Sequence, residues 1–296
     1  MSNLSDRQLP AIEIDETTFL KDHFSLPPLP QVSTNIMEKI SSGDTGPNEI
    51  ANLLSSDPAL VALVFKLVNS AYYSLPKRIE RLNQAVAFLG LAEINRLVMA
   101  LSVMKALEPA EPAAFERFWR HSFYSALISR SVARNFFRNL ELEGLYTAVL
   151  LHDVGKLIYM RFFPEHYHAL VDYTRHRRCF FYQAEERFSL PSHQRFGELL
   201  CDRWKLPATV SRACAFHELQ QLQQVEPDDD REFEIVSAVS NSMAHLADGT
   251  LTDQLKEDCR QEIQRVLHCS EENFLIAMAE IYDLQDSVED FLNRLM

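Results

Sequence analysis

The sequence predicts an all-α protein. Glycine is scarce, apolar residues recur at helical spacing along most of the chain, and prolines fall at the joints between those stretches. Only seven glycines occur in 296 residues, whereas hairpins and barrel corners draw on glycine for backbone conformations with positive φ. Apolar residues make up 47% and charged residues 24%, the balance of a chain with a real buried core.

Residues 1–24 read as an acidic, loosely structured lead-in. Leu26-Pro27-Pro28-Leu29-Pro30 then marks the start of the folded part, because successive prolines cannot donate into a helix. Val32, Ile36, Met37 and Ile40 share one face of a first helix, and a second begins near Pro47 and ends before Pro58. PALVALVFKLVNSAYY is apolar almost all round and reads as a central buried helix, with Asn69-Ser70 capping its end. NQAVAFLG and LAEINRLVMALSVMKAL form two more, separated by Gly90. The proline-bearing LEPAEPAAF, around residues 107–115, is the best internal boundary. Beyond it, FERFWRHSFYSALISRSVARNF and LEGLYTAVLLHDVGKLIYMRFF are both long and helical in period. Helices follow in PEHYHALVDYTRHR, SHQRFGELLCDRWKLP, PATVSRACAFHEL and FEIVSAVSNSMAHLAD, with an acidic loop at 226–232. Two C-terminal helices over about 252–296 complete the pattern.

A formal charge of −13 repels nucleic-acid phosphates, so no nucleic-acid partner is expected. The clearest basic run, Arg175-His176-Arg177-Arg178, reads first as a solvated helix end or loop. The five cysteines contain no CxxC, which argues against a disulfide framework or zinc ribbon and suits a reducing cytoplasm. MSNLSDRQLPAIEIDE is polar and acidic, unlike a signal peptide, and no apolar run is long enough for a membrane span. A cytoplasmic address without a membrane partner is therefore expected.

Histidine carries the chemistry. His152 and Asp153 are adjacent in the apolar stretch TAVLLHDVGKLIY, where a carboxylate beside an imidazole is costly unless something compensates it. A divalent metal would do so, since both groups are ligands. A hydrogen-bonded pair with a cation would also serve, and Lys156 and Arg161 are near. Gly155, directly after the pair, suggests that another backbone approaches closely. His166 and His168, two apart on a helix, face different ways, and Trp119 and Trp204 read as core. No GxSxG setting supports a serine nucleophile.

The segments LPPLPQV, SDPAL, VNSAYY, FLGLAEI, FWRHS, LLHDVGKL, SHQRFGELLCDRWKLP and AFHE occur in this order. Over about residues 25–250 the chain thereby resembles the HDOD (HD-related output domain) family of the HD superfamily of metal-dependent phosphohydrolases. The resemblance implies an N-terminal helical half at 25–112, an HD-like half at 113–250 and an uncovered C-terminal helical extension at 251–296. It implies His121, His152, Asp153, His193 and His217 as candidate ligands of iron, manganese or zinc, with Lys156 as the candidate catalytic cation. Asn241 stands where the closing Asp of the superfamily is expected, and an amide oxygen is a poorer, neutral ligand. Glu218 follows His217 where a second His would stand, no GYP tripeptide follows AFHE, and Glu218 or His245 would have to substitute in a dinuclear site. The resemblance thus implies a bacterial signalling output module that binds a protein partner or a small phosphorylated ligand at a degenerate pocket. The alternative is a metal-dependent phosphohydrolase acting on a nucleotide or cyclic nucleotide.

Overall fold

A computed structural model describes residues 9–12, 27–69, 75–137, 140, 144–223 and 231–295. The described residues form helices and no strand. The chain divides into two compact units, one of Leu26–Glu108 with Asp283–Met296, the other of Met1–Ser25 with Pro109–Tyr282.

The first unit is built from α1 (Gln31–Ser41), α2 (Pro47–Leu54), α3 (Pro58–Val68), α4 (Leu82–Leu89) and α5 (Leu91–Ala106). Pro47 starts α2 because the first helical position needs no N–H donor, and Glu49 complements the positive end of that helix. Gly90, at φ +81°, turns the chain through 108° between α4 and α5, a backbone state that costs glycine little. The core gathers Ile36, Ile50, Leu54, Val64, Val86 and Ile94, each contributing about 1.5–3 kcal/mol by leaving water.

Helix α3 is not apolar-packed all round. Leu60, Val64 and Val68 are buried on one face, while Ala62 is exposed. Asn69 does more than end the helix. Its Nδ2 donates to the carbonyls of Phe65 and Ile79, both at 2.9 Å, and its Oδ1 accepts the Ile79 N–H at 2.7 Å. Ser70 lies outside the described residues.

The second unit begins with α6 (Pro112–Phe136), which packs against α7 (Leu145–Leu150) and α13 (Arg231–Asp248). After α8 (Gly155–Phe162), α9 (Pro164–Arg177) and α10 (Phe181–Arg187), α11 (His193–Trp204) packs on α8 and α12 (Ala208–Ala215). A short 3-10 turn at Leu219–Gln223, α14 (Asp253–Leu267) and the start of α15 (Glu271–Leu295) follow. Trp119, Ile128, Leu150, Tyr159 and Phe196 are fully buried here. Trp204 is only partly buried. Of the acidic loop, residues 226–230 lie outside the described residues, and α13 already begins at Arg231.

Two elements depart from the sequence expectation. LEGLYTAVLLHDVGKLIYMRFF is not one helix, because the chain turns at Leu151–Val154 and restarts as α8. Short-range bonds drive the turn, including Val154 N–H to the Leu151 carbonyl at 3.0 Å and Lys156 N–H to the Asp153 carbonyl at 2.8 Å. Helix α10, within a charged string, is an element that the apolar periodicity does not announce. Among the described residues, no single helix is long and apolar enough to cross a membrane.

Candidate metal centre

Six elements of the second unit bring the site together. Helix α6 presents His121 from its interior. The α7–α8 turn presents His152 and Asp153, α8 presents Lys156, α11 presents His193 at its first residue, and the chain after α12 presents His217. Helix α13 adds Asn241. Asp153 is the hub. Its Oδ1 lies 3.3 Å from Nε2 of both His193 and His217, while Oδ2 lies 3.4 Å from His152 Nε2 and 3.7 Å from His121 Nε2. The ligand atoms fall into two clusters that share this carboxylate, His121–His152–Asp153 and Asp153–His193–His217.

The hydrogen bonds around the rings assign their tautomers. His152 Nδ1 donates to the Val149 carbonyl at 2.6 Å, and His217 Nδ1 donates to the Ala213 carbonyl at 3.0 Å. His193 Nδ1 faces the Glu185 carboxylate at 2.9 Å. Each ring therefore spends its Nδ1–H outward and turns Nε2 towards Asp153, the arrangement of metal-ligating imidazoles. His121 differs. Asn241 Nδ2 donates to the His217 carbonyl at 2.9 Å, which leaves Asn241 Oδ1 to accept from His121 Nε2 at 2.9 Å.

Charge is tightly managed. Burial alone would raise the Asp153 carboxyl, but Lys156 and His152 reverse this and hold it well below the usual range. Lys156 Nζ sits 2.5 Å from Asp153 Oδ2. Burial pushes His121 and His152 down to about 4. Burial also acts against charge on His193, yet Glu185 and Asp153 outweigh it and hold that ring up at about 9. His193 Nε2 lies 2.9 Å from His217 Nε2. Burial pushes Glu218 up to about 7.

The residues fit a divalent ion. His152 Nε2 and Asp153 Oδ1 are fully buried and have no hydrogen-bond partner among the described residues, a costly state that a cation would relieve. Imidazole nitrogens with a carboxylate suit zinc, iron or manganese. The Nε2 atoms of His193 and His217, 2.9 Å apart and each 3.3 Å from Asp153 Oδ1, are spaced as neighbouring ligand atoms around one ion, about 3.4 Å apart at tetrahedral bonds of about 2.1 Å. His152, Asp153, His193 and His217 are each 1% exposed or less, so these donors are shielded from solvent.

Other described histidines lie outside the two ligand clusters. His245 lies beside His121, with ring centroids 4.5 Å apart and the rings tilted by 34°. His166 Nε2 bonds the Pro10 carbonyl, and His168 pairs with Glu111. Of the basic run, Arg178 is tied to the Leu251 carbonyl. A cavity of about 150 Å³ opens beside Glu218, lined also by Phe180, Tyr182, Asp258, Cys259 and Glu262. Glu185, which the sequence does not single out, is a buried neighbour of His193 that the fold reveals.

The profile of the HDOD domain matches residues 26–219, about two thirds of the chain. The chain belongs to the HDOD family. The match spans every HDOD candidate residue from His121 to His217 and ends before Asn241. A Treponema pallidum (strain Nichols) protein of uncharacterised role is 26% identical over 192 residues, and this HDOD chain spans 37% of its length. An HDOD domain protein of unknown function from Geobacter sulfurreducens superposes with TM-score 0.71 at 23% identity, covering 95% of this chain and 97% of that one. A candidate phosphohydrolase from Shewanella amazonensis SB2B superposes at 0.69 with 20% identity, covering 92% and 95%. A candidate signal transduction protein from Marinobacter aquaeolei VT8 does so at 0.70 with 19% identity, covering 99% and 64%. At these identities the structures share the fold.

Proposed function

We propose that this HDOD chain is a non-catalytic signalling module whose buried site retains a divalent metal on Asp153, the carboxylate shared by the His152 cluster and the His193–His217 cluster. The carrying observation is the Lys156 ammonium on Asp153 Oδ2 at 2.5 Å. That cation already occupies the outer side of the shared carboxylate and is not free to neutralise a substrate phosphate. When bound, the metal supplies positive charge that fixes the ring and carboxylate donors in place. Asn241 bonds His121 through one end of its amide and His217 through the other, which ties α13 to α6 and to the chain after α12. Closed donor sets of this kind suit structural rather than catalytic ions. The nearby cavity is bordered by Glu218, Asp258 and Glu262, carboxylates that disfavour a phosphorylated ligand.

The output is then binding to a signalling protein partner. Five free cysteines fit a reducing cytoplasm. The alternative, a phosphohydrolase on a nucleotide or cyclic nucleotide, draws its support from the donor set alone. Assaying zinc-, manganese- and iron-loaded protein on a panel of phosphoesters separates the two. The proposal expects no turnover above that of His152→Ala. Metal-dependent turnover abolished by both His152→Ala and Asp153→Ala would overturn it.

A further inference from the structure

Glu185 on α10 is 2% exposed and stands eight residues before His193 in the chain. A carboxylate so deeply buried needs a compensating role. Its Oε1 accepts the backbone N–H of His193 at 2.7 Å, and its Oε2 faces Nδ1 of the same residue at 2.9 Å. The first contact satisfies an orphan donor at the start of α11 and complements that helix terminus. The second does something a cap does not require. An ionised carboxylate offers only acceptors, so Nδ1 carries its proton and Nε2 is directed at Asp153 Oδ1 and His217. Phe181, one turn earlier on α10, meets the His193 ring edge-on at 5.5 Å. The Lys156 ammonium lies 5.1 Å from the centre of the Phe181 ring. Phe181 and Glu185, four residues apart and so on one face of α10, both bear on the site.

We propose that Glu185 is a positioning residue, holding the His193 ring in its metal-ligating orientation and tying α10 to the occupancy of the pocket. This inference rests on the metal-binding reading above. It gives a function to a helix and a carboxylate that the sequence motifs leave out. Outer carboxylates of this kind govern ligand basicity and ring orientation as well as geometry.

The test titrates metal-free wild type, Glu185→Gln and Glu186→Gln with zinc in competition with a chelator, and records ¹⁵N-histidine NMR spectra of the zinc-loaded proteins. The Glu185→Gln change keeps the side-chain shape but leaves one acceptor oxygen for two N–H groups, so zinc affinity should fall by about 10–100-fold. The exposed neighbour Glu186 serves as the control, and its substitution should leave the affinity unchanged. In wild type, His193 should show zinc on Nε2 and a slowly exchanging Nδ1–H, a signal that a purely helix-capping role would not produce. Equal zinc affinity of wild type and Glu185→Gln overturns the role of Glu185 while leaving the metal reading intact. Failure of the wild type to take up zinc overturns the metal reading itself. Should Glu185→Gln not fold, the wild-type spectrum decides, and a protonated Nε2 on zinc-loaded His193 overturns the proposal.

Discussion

The backbone of His193 runs directly over Gly155. A Cβ on that glycine would overlap the His193 carbonyl oxygen and come within 2.7 Å of the Gly197 amide nitrogen. The absence of a side chain lets α8 lie against the first turns of α11, which sets His193 beside Asp153. Gly155→Ala has only backbone to push against. We expect a loss of about 3 kcal/mol in unfolding free energy, the upper part of the range for overpacked interiors, read by urea denaturation. Wild-type stability in this variant would show that the two helices have slack.

Lys156→Met tests the internal cation. Removing one partner of a buried ion pair leaves the other uncompensated, so metal-free protein should lose about 3 kcal/mol. Zinc-loaded protein should lose less, because the ion shares the work of compensating Asp153. Denaturation curves with and without zinc measure the difference. Equal losses in the two states would separate Lys156 from the metal pocket.

Asn241→Asp produces two opposite effects. A carboxylate beside His121 adds an anionic ligand and should tighten zinc binding by at least about tenfold, since charge-assisted contacts are the stronger ones. The same change removes the Nδ2 donor from the His217 carbonyl and should cost metal-free protein about 1–3 kcal/mol. Calorimetric zinc titration and thermal unfolding read the two separately. Unchanged affinity would place Asn241 outside the reach of the ion.

Much of this architecture is visible in the sequence, and what escapes it escapes for physical reasons. The helices announce themselves by apolar spacing, and Gly155 by its place after a buried polar pair. The turn at Leu151–Val154 does not, because it lies inside a stretch of helical period and the break comes from local i→i+3 bonds. Glu185 sits in FYQAEERF, a charged string that reads as solvated. Burial alone distinguishes it from exposed Glu186, and the His193 groups it meets are brought to it only when α11 folds back beside α10. The bonds from Asn69 to Ile79 are hidden for the same reason, since ten residues separate the partners.

Asn69→Ala should accordingly destabilise the first unit by about 2 kcal/mol, through the loss of part-buried amide bonds. Hydrogen exchange at the Ile79 amide is the local readout. Its protection should fall sharply, whereas unchanged protection would mean that Ile79 finds another acceptor.

The account turns on whether the pocket around Asp153 holds an ion. Elemental analysis of protein purified without a histidine tag, beside a His152→Ala control, measures this most directly. The account predicts close to one equivalent of zinc, iron or manganese per chain in the wild type and a clear loss in the variant. Metal-free wild-type protein that also fails to bind added zinc, manganese or iron would contradict it, and the His–Asp cluster would then stand as a purely hydrogen-bonded core.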